Sequence, residues 1–121
     1  MIVIDYKDTR PIYEQVCEKF KVLILKGVLA PDEQIPSVRN LAMELSINPN
    51  TIQKAYRILE DEGLIQSHSG AKSYVSVSPE QREKIREQLL CDNVRQLVQA
   101  LRQSGVEKPE ALALVERLWD E

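Results

Sequence analysis

Four polar side chains, Asn50, Gln53, Lys54 and Arg57, recur at a spacing that a helix would gather on one side. At about 100° per residue they share an arc roughly 100° wide. Ile52, Ala55, Tyr56 and Leu59 oppose it, between roughly 140° and 240° from Asn50 on the same count. Asn and Gln each present a donor beside an acceptor, which matches the edge of adenine, while Arg and Lys match guanine or a phosphate. A helix anchored by its apolar side could therefore lay this polar arc in a major groove. Asn48 and Thr51 stand at its start, where unpaired N–H groups and the positive end of the dipole favour phosphate.

The flanking residues supply the elements that such a reader needs. Asn48 is a suitable N-cap, Pro49 suits the first helical position, and Gly63 ends a helix running to about Glu62. Ahead of it, Ser37 can cap a helix over Val38–Leu45, with Val38, Leu41, Ala42 and Leu45 inward. The tight SIN connector between the two makes a helix-turn-helix. Ser37 and Arg39 open the preceding helix, where a hydroxyl and a guanidinium can meet phosphates. A first helix is expected from Ile12 to about Lys26, started by Pro11 and stopped by Gly27, after an extended IVID segment. VLAPDEQIP reads as a turn leading into a short extended piece. Leu64–Ser67 and Ser73–Val77 read as a β-hairpin around Ser69 and Gly70.

A new unit begins at Ser78, which forms a capping box with Gln81 and places Pro79 first in a helix. That helix carries Leu90, Val94, Leu97 and Leu101 at coiled-coil-like spacing and breaks at Ser104–Gly105. A last helix from Pro109 groups Leu112, Val115, Leu118 and Trp119. The fold class is thus mainly α with a small β-hairpin: a winged helix-turn-helix over residues 1–77, then a two-helix dimerisation region over 78–121. Two short helices bury both apolar rows poorly without a partner, so those eight residues are assigned to a homodimer.

The totals set limits on other functions. At 121 residues the chain suits one domain with a short appendage. Its longest purely apolar run, Ala111–Val115, is far short of a membrane span, and the N-terminus lacks the marks of a secretory signal, so a cytoplasmic protein is expected. Cys17 and Cys91 are far apart and lie in helix-like segments, which suits small hydrophobes in a reducing compartment. The single His68 has no cysteine near it, and no phosphate loop or nucleophile-and-base pair occurs, so neither an enzyme, a metal site nor a cofactor is expected. The formal charge of −3 does not mark a nucleic-acid binder, but a small basic face suffices.

The run QIPSVRNLAMELSINPNTIQKAYRILEDEGLI resembles the winged helix-turn-helix of the GntR family of bacterial transcription regulators. The matching stretches are Ile35–Ala42, Ile47–Ile52, and Ala55–Tyr56 through Glu62–Leu64, with PIYEQV and GVLAPDEQ upstream. The short helical tail resembles the YtrA subfamily, which dimerises through a region this small. The resemblance implies a dimeric repressor binding double-stranded DNA at a palindromic, inverted-repeat operator; the residues themselves show no ligand constellation, so no small-molecule effector is assigned. Position by position it implies DNA contacts from Arg39, Asn48, Asn50, Thr51 and Gln53, and makes Gly70 the wing-tip glycine. The wing departs from the family: His68 stands where arginine is frequent, and Lys72 replaces a second glycine, leaving Lys72 to meet a phosphate. Asp32 replaces a usual turn glycine, which Asp tolerates. The thin wing and acidic balance motivate the alternative of a winged-helix protein–protein interaction module.

Overall fold

In the computed structural model the structure describes residues 2–68 and 72–121. The chain forms two compact units, residues 1–85 and 86–121. In chain order the elements are α1 (Ile12–Leu25), β1 (Gln34–Ile35), α2 (Val38–Leu45), α3 (Pro49–Asp61), β2 (Ile65–His68), β3 (Lys72–Val75), α4 (Pro79–Gln103) and α5 (Lys108–Leu118). The three strands form an antiparallel sheet in the order β1-β3-β2, with Gln66 opposite Tyr74 and Gln34 opposite Tyr74 on its other edge. The expected hairpin therefore has a third strand. Gln34–Ile35 is too short for periodicity to reveal; only β3, more than thirty residues on, gives it partners.

The core of the first unit is built where the helical period put it. Val16, Phe20 and Ile24 of α1 meet Leu41 of α2, Ile52 and Leu59 of α3, and Ile65 and Val75 of the sheet. The opening segment is an extended arm whose Ile2 is buried in that core. Gln15, itself buried, holds the arm: its Nε2 donates to the Asp5 carbonyl at 3.1 Å, and its Oε1 accepts the Asp5 N–H at 3.1 Å. Pro11 is the N-cap residue of α1, one position ahead of the expected first turn. Asp32, in the turn before β1, has φ 67°, the left-handed geometry for which a glycine is the usual choice.

Each helix of the reader pair is capped by its own residues. Ser37 Oγ accepts the Asn40 N–H at 3.1 Å, and Asn48 Oδ1 accepts the Asn50 N–H at 2.8 Å. Helix α3 ends in a Schellman arrangement: Gly63 N–H donates to Glu60 O and Leu64 N–H to Leu59 O, both at 2.9 Å. Gly63 has φ 78°, and a Cβ there would lie 2.5 Å from Gln81 Nε2. Gly63→Ala is therefore expected to lower stability by about 1–2 kcal/mol from the backbone alone. A thermal melt reads the loss, and an unchanged midpoint would contradict it.

The capping box at the start of α4 is reciprocal: Gln81 Oε1 accepts from Ser78 N–H at 2.9 Å, and Ser78 Oγ from Gln81 N–H at 3.1 Å. Arg82 Nη2 donates to Leu25 O at 2.7 Å and Ile85 packs on the first unit's core. These contacts explain why compactness divides the chain within α4, beyond the sheet-to-helix change at residue 77.

The second unit differs from the first: among the described residues, neither α4 nor α5 has a buried side chain. Leu90, Val94, Leu97, Leu112, Val115 and Leu118 are exposed, and Trp119 is 80% exposed. Leu101 alone of the expected α4 row is half-buried. It is the position whose carbonyl accepts the Val106 N–H, at 3.0 Å, in the turn through Gly105. Helix α5 begins at Lys108, one residue before the expected Pro109, and Trp119 is its C-cap.

Candidate nucleic-acid interface

Helix α3 is fixed by the side opposite its polar arc. Ile52, Ala55 and Leu59 are fully buried, and Tyr56 is nearly so. Phe20 of α1 meets the Tyr56 ring edge-on, with centroids 5.6 Å apart and an 82° interplanar angle. The Tyr56 hydroxyl donates to Pro36 O at 2.6 Å, tying α3 to the residue that precedes the Ser37 cap. Burial pushes the Tyr56 phenol well above its ordinary pKa, so it stays a neutral donor. Cys17 Sγ lies 3.5 Å from Ala55 O, and burial pushes its thiol up to about 11. Such a thiol is a packing group rather than a nucleophile at neutral pH.

The polar arc is outward. Asn50, Gln53, Lys54 and Arg57 are exposed, and Thr51 is half-buried at the first turn. Lys54 has a specific partner that its sequence position does not show: its Nζ lies 3.9 Å from the centroid of the Tyr13 ring of α1. This cation–π contact directs the ammonium to the α1 edge of the arc. Asn50, Gln53 and Arg57 make up the rest of the arc.

A cleft of about 780 Å³ opens beside this face. It brings together Ser37 and Arg39 from the cap and first turn of α2, Gln53 from α3 and Lys72 from β3. Asn48, Asn50, Thr51, Lys54 and Arg57 do not line it; they lie on or at the start of α3. Asn40 also lines the cleft and is exposed, one residue after Arg39. An outward asparagine in the first turn of α2 was the available signal for it. Gly70 lies outside the described residues, as does the side chain of His68.

The acidic run Glu60–Asp61–Glu62 closes the C-terminal end of α3, and its first carboxylate turns toward the cleft. Glu60 lines the cleft, and its Oε1 accepts the Ser67 N–H of β2 at 3.3 Å. Glu62 pairs with Lys21 of α1 at 2.9 Å. Two of the three acids thus hold α3 to its neighbours, because Gly63 turns the chain back and sets β2 alongside the end of α3. Among the described residues no cluster of three or more His, Cys, Asp or Glu could hold a metal, and no helix is long and apolar enough to cross a membrane.

The family model for bacterial regulatory proteins of the gntR family matches residues 12–75, from the start of α1 to the end of β3. The chain belongs to the GntR family. Its members of this type regulate transcription and are not enzymes. The HTH-type transcriptional repressor YtrA of Bacillus subtilis is 47% identical over 76 residues, which cover 63% of this chain and 58% of that protein. The chain thus spans less than two thirds of that relative's length. A GntR family transcriptional regulator from Listeria monocytogenes superposes with a TM-score of 0.82 at 27% identity, covering 95% of this chain and 99% of that one. The AraR DNA-binding domain, solved in complex with operator ORE1, matches with a TM-score of 0.54 at 29% identity, over 63% of this chain and 93% of that one. The GntR chain is therefore YtrA-like in sequence and carries a family winged helix followed by C-terminal helices.

Proposed function

We propose that this GntR chain is a cytoplasmic, sequence-specific double-stranded DNA-binding repressor that acts as a homodimer on an inverted-repeat operator. Residues 1–77 bind DNA, with α3 in the major groove, and residues 78–121 dimerise. The observation that carries the reading is the outward Asn50–Gln53–Arg57 arc on a helix whose other face is locked into the core. Arg39, Lys72 and the Lys54 ammonium flank that arc with positive charge, and the α3 N-terminus adds unpaired N–H groups. Arginine in the first turn of α2 suits a phosphate beside the groove, whereas Gln53 suits a base edge. The AraR domain bound to its operator supports using this fold in the same way.

Dimerisation matters to the mechanism because it sets the distance between two readers, and hence between two half-sites. The exposed apolar rows on α4 and α5 are the surface available for it.

Selecting bound duplexes from a random pool, followed by a salt titration of the best one, tests the proposal. A palindromic consensus and a linear fall of log affinity with log salt are the expected results. Absence of duplex binding at low salt, with the dimer intact, overturns it and leaves the protein-contact role.

A further inference from the structure

The polar arc of α3 has two borders, and the cation on each is held differently. Counted at about 100° per residue from Asn50, Gln53 lies at roughly 300° and Lys54 at roughly 40°, so they end the arc on opposite sides. Gln53 faces the cleft, where Arg39 and Lys72 also stand. Lys54 faces α1, and its Nζ lies 3.9 Å from the centroid of the Tyr13 ring in the first turn of that helix. The ring has little freedom of its own. Tyr13 is half-buried and packs against the core of the first unit, and its hydroxyl donates to Glu14 Oε1 at 3.4 Å.

The kind of partner decides what the ammonium can still do. Two other cations around α1 are held by carboxylates: Arg10 pairs with Asp8 and Glu18, and Lys21 with Glu62. A carboxylate cancels the charge that it holds. An aromatic face attracts a cation through its quadrupole and carries no net charge, so Lys54 keeps its full positive charge. Lys54 is exposed, and among the described residues no carboxylate pairs with it. Fixing a flexible lysine on DNA also costs rotamer entropy, and a ring that holds the side chain beforehand removes part of that cost. To read a base, the ammonium would have to leave the ring and swing to the middle of the arc.

We infer that Tyr13 is a positioning residue of the DNA-binding face. Its ring holds Lys54 Nζ toward a backbone phosphate on the α1 side of the major groove, and Lys54 takes no part in reading bases. Base recognition by α3 then falls to Asn50, Gln53 and Arg57. This rests on the DNA-binding reading above and gives Tyr13 and Lys54 separate tasks within it.

A double-mutant cycle on the full chain tests the inference, using the selected duplex and its single-base substitutions. Lys54→Met should weaken every duplex by a similar factor, about fivefold, and flatten the slope of log affinity against log salt by about one per site. Tyr13→Leu should weaken binding about threefold, whereas Tyr13→Phe, which keeps the ring face, should stay within about 1.5-fold of wild type. Added to Lys54→Met, Tyr13→Leu should change affinity by no more than about 1.5-fold. In the wild-type protein the Lys54 ε-methylene protons should resonate upfield of an ordinary lysine, both free and on DNA, because they lie over the ring. That measurement depends on no variant folding. A Tyr13→Leu loss that persists in the Lys54→Met background is a packing effect, and an equal loss from Tyr13→Phe gives the phosphate contact to the phenol hydroxyl. Either result overturns the inference. So does an unimpaired Tyr13→Leu variant, relaxed preference at one base pair from Lys54→Met, or ordinary ε-methylene shifts on DNA. A wild-type chain that binds no duplex at low salt overturns the DNA-binding reading instead.

Discussion

Phe20→Ala is expected to destabilise the first unit by about 3–5 kcal/mol. The ring is fully buried. It lies between α1 and α3, edge-on to Tyr56, so the loss combines transferred area, a cavity and an aromatic pair. Domains of this size have only about 5–15 kcal/mol in total, so a large share of the variant would be unfolded near its growth temperature. Urea unfolding followed by far-ultraviolet circular dichroism measures the change. DNA affinity should fall with the folded fraction, because Phe20 supports the core side of α3 and none of its outward residues. A loss below about 1 kcal/mol would mean that α1 and α3 repack around the vacancy, contrary to the close packing of protein cores.

The first unit was legible because local signals and tertiary packing agree there. Ser37, Asn48 and the Ser78–Gln81 pair read as caps, and each makes the bond its position calls for. Val16, Phe20 and Ile24 recur at the helical period and are buried. What escaped was non-local. Gln34–Ile35 reads locally as a short extended piece, but its pairing with β3 has no local signal. Gln15 looks like an ordinary polar residue in an amphipathic helix, yet it is buried because the N-terminal arm folds over it.

The same distinction holds at the interface. Helical geometry alone separates the outward Asn50, Gln53, Lys54 and Arg57 from the buried Ile52, Ala55, Tyr56 and Leu59. It does not show that Lys54 reaches back to Tyr13 of α1, or that Glu60 turns from the tail of α3 to hold β2. Both depend on which element packs beside α3. The Glu60 carboxylate also places negative charge in the cleft with Arg39 and Lys72.

Separate tasks for Arg39 and Gln53 lead to the largest functional contrast. Both are exposed and line the same cleft, so alanine at either should leave the melting temperature nearly unchanged. Gln53→Ala removes an amide that can bond two atoms of one adenine. It is expected to cost about 1–3 kcal/mol on the preferred duplex and to erase preference at a single base position in each half-site. On the proposed reading, Arg39→Ala removes a cation that meets the DNA backbone. Affinity should then weaken by a similar factor on every sequence, and the slope of log affinity against log salt should flatten by about one per site. Titrating both variants against the selected duplex and its single-base substitutions, at two salt concentrations, resolves the two effects. Equal losses on all duplexes from both variants would place Gln53 on the backbone and move base reading along α3 to Asn50 and Arg57. Single-position relaxation by Arg39→Ala would instead make the start of α2 part of the reader.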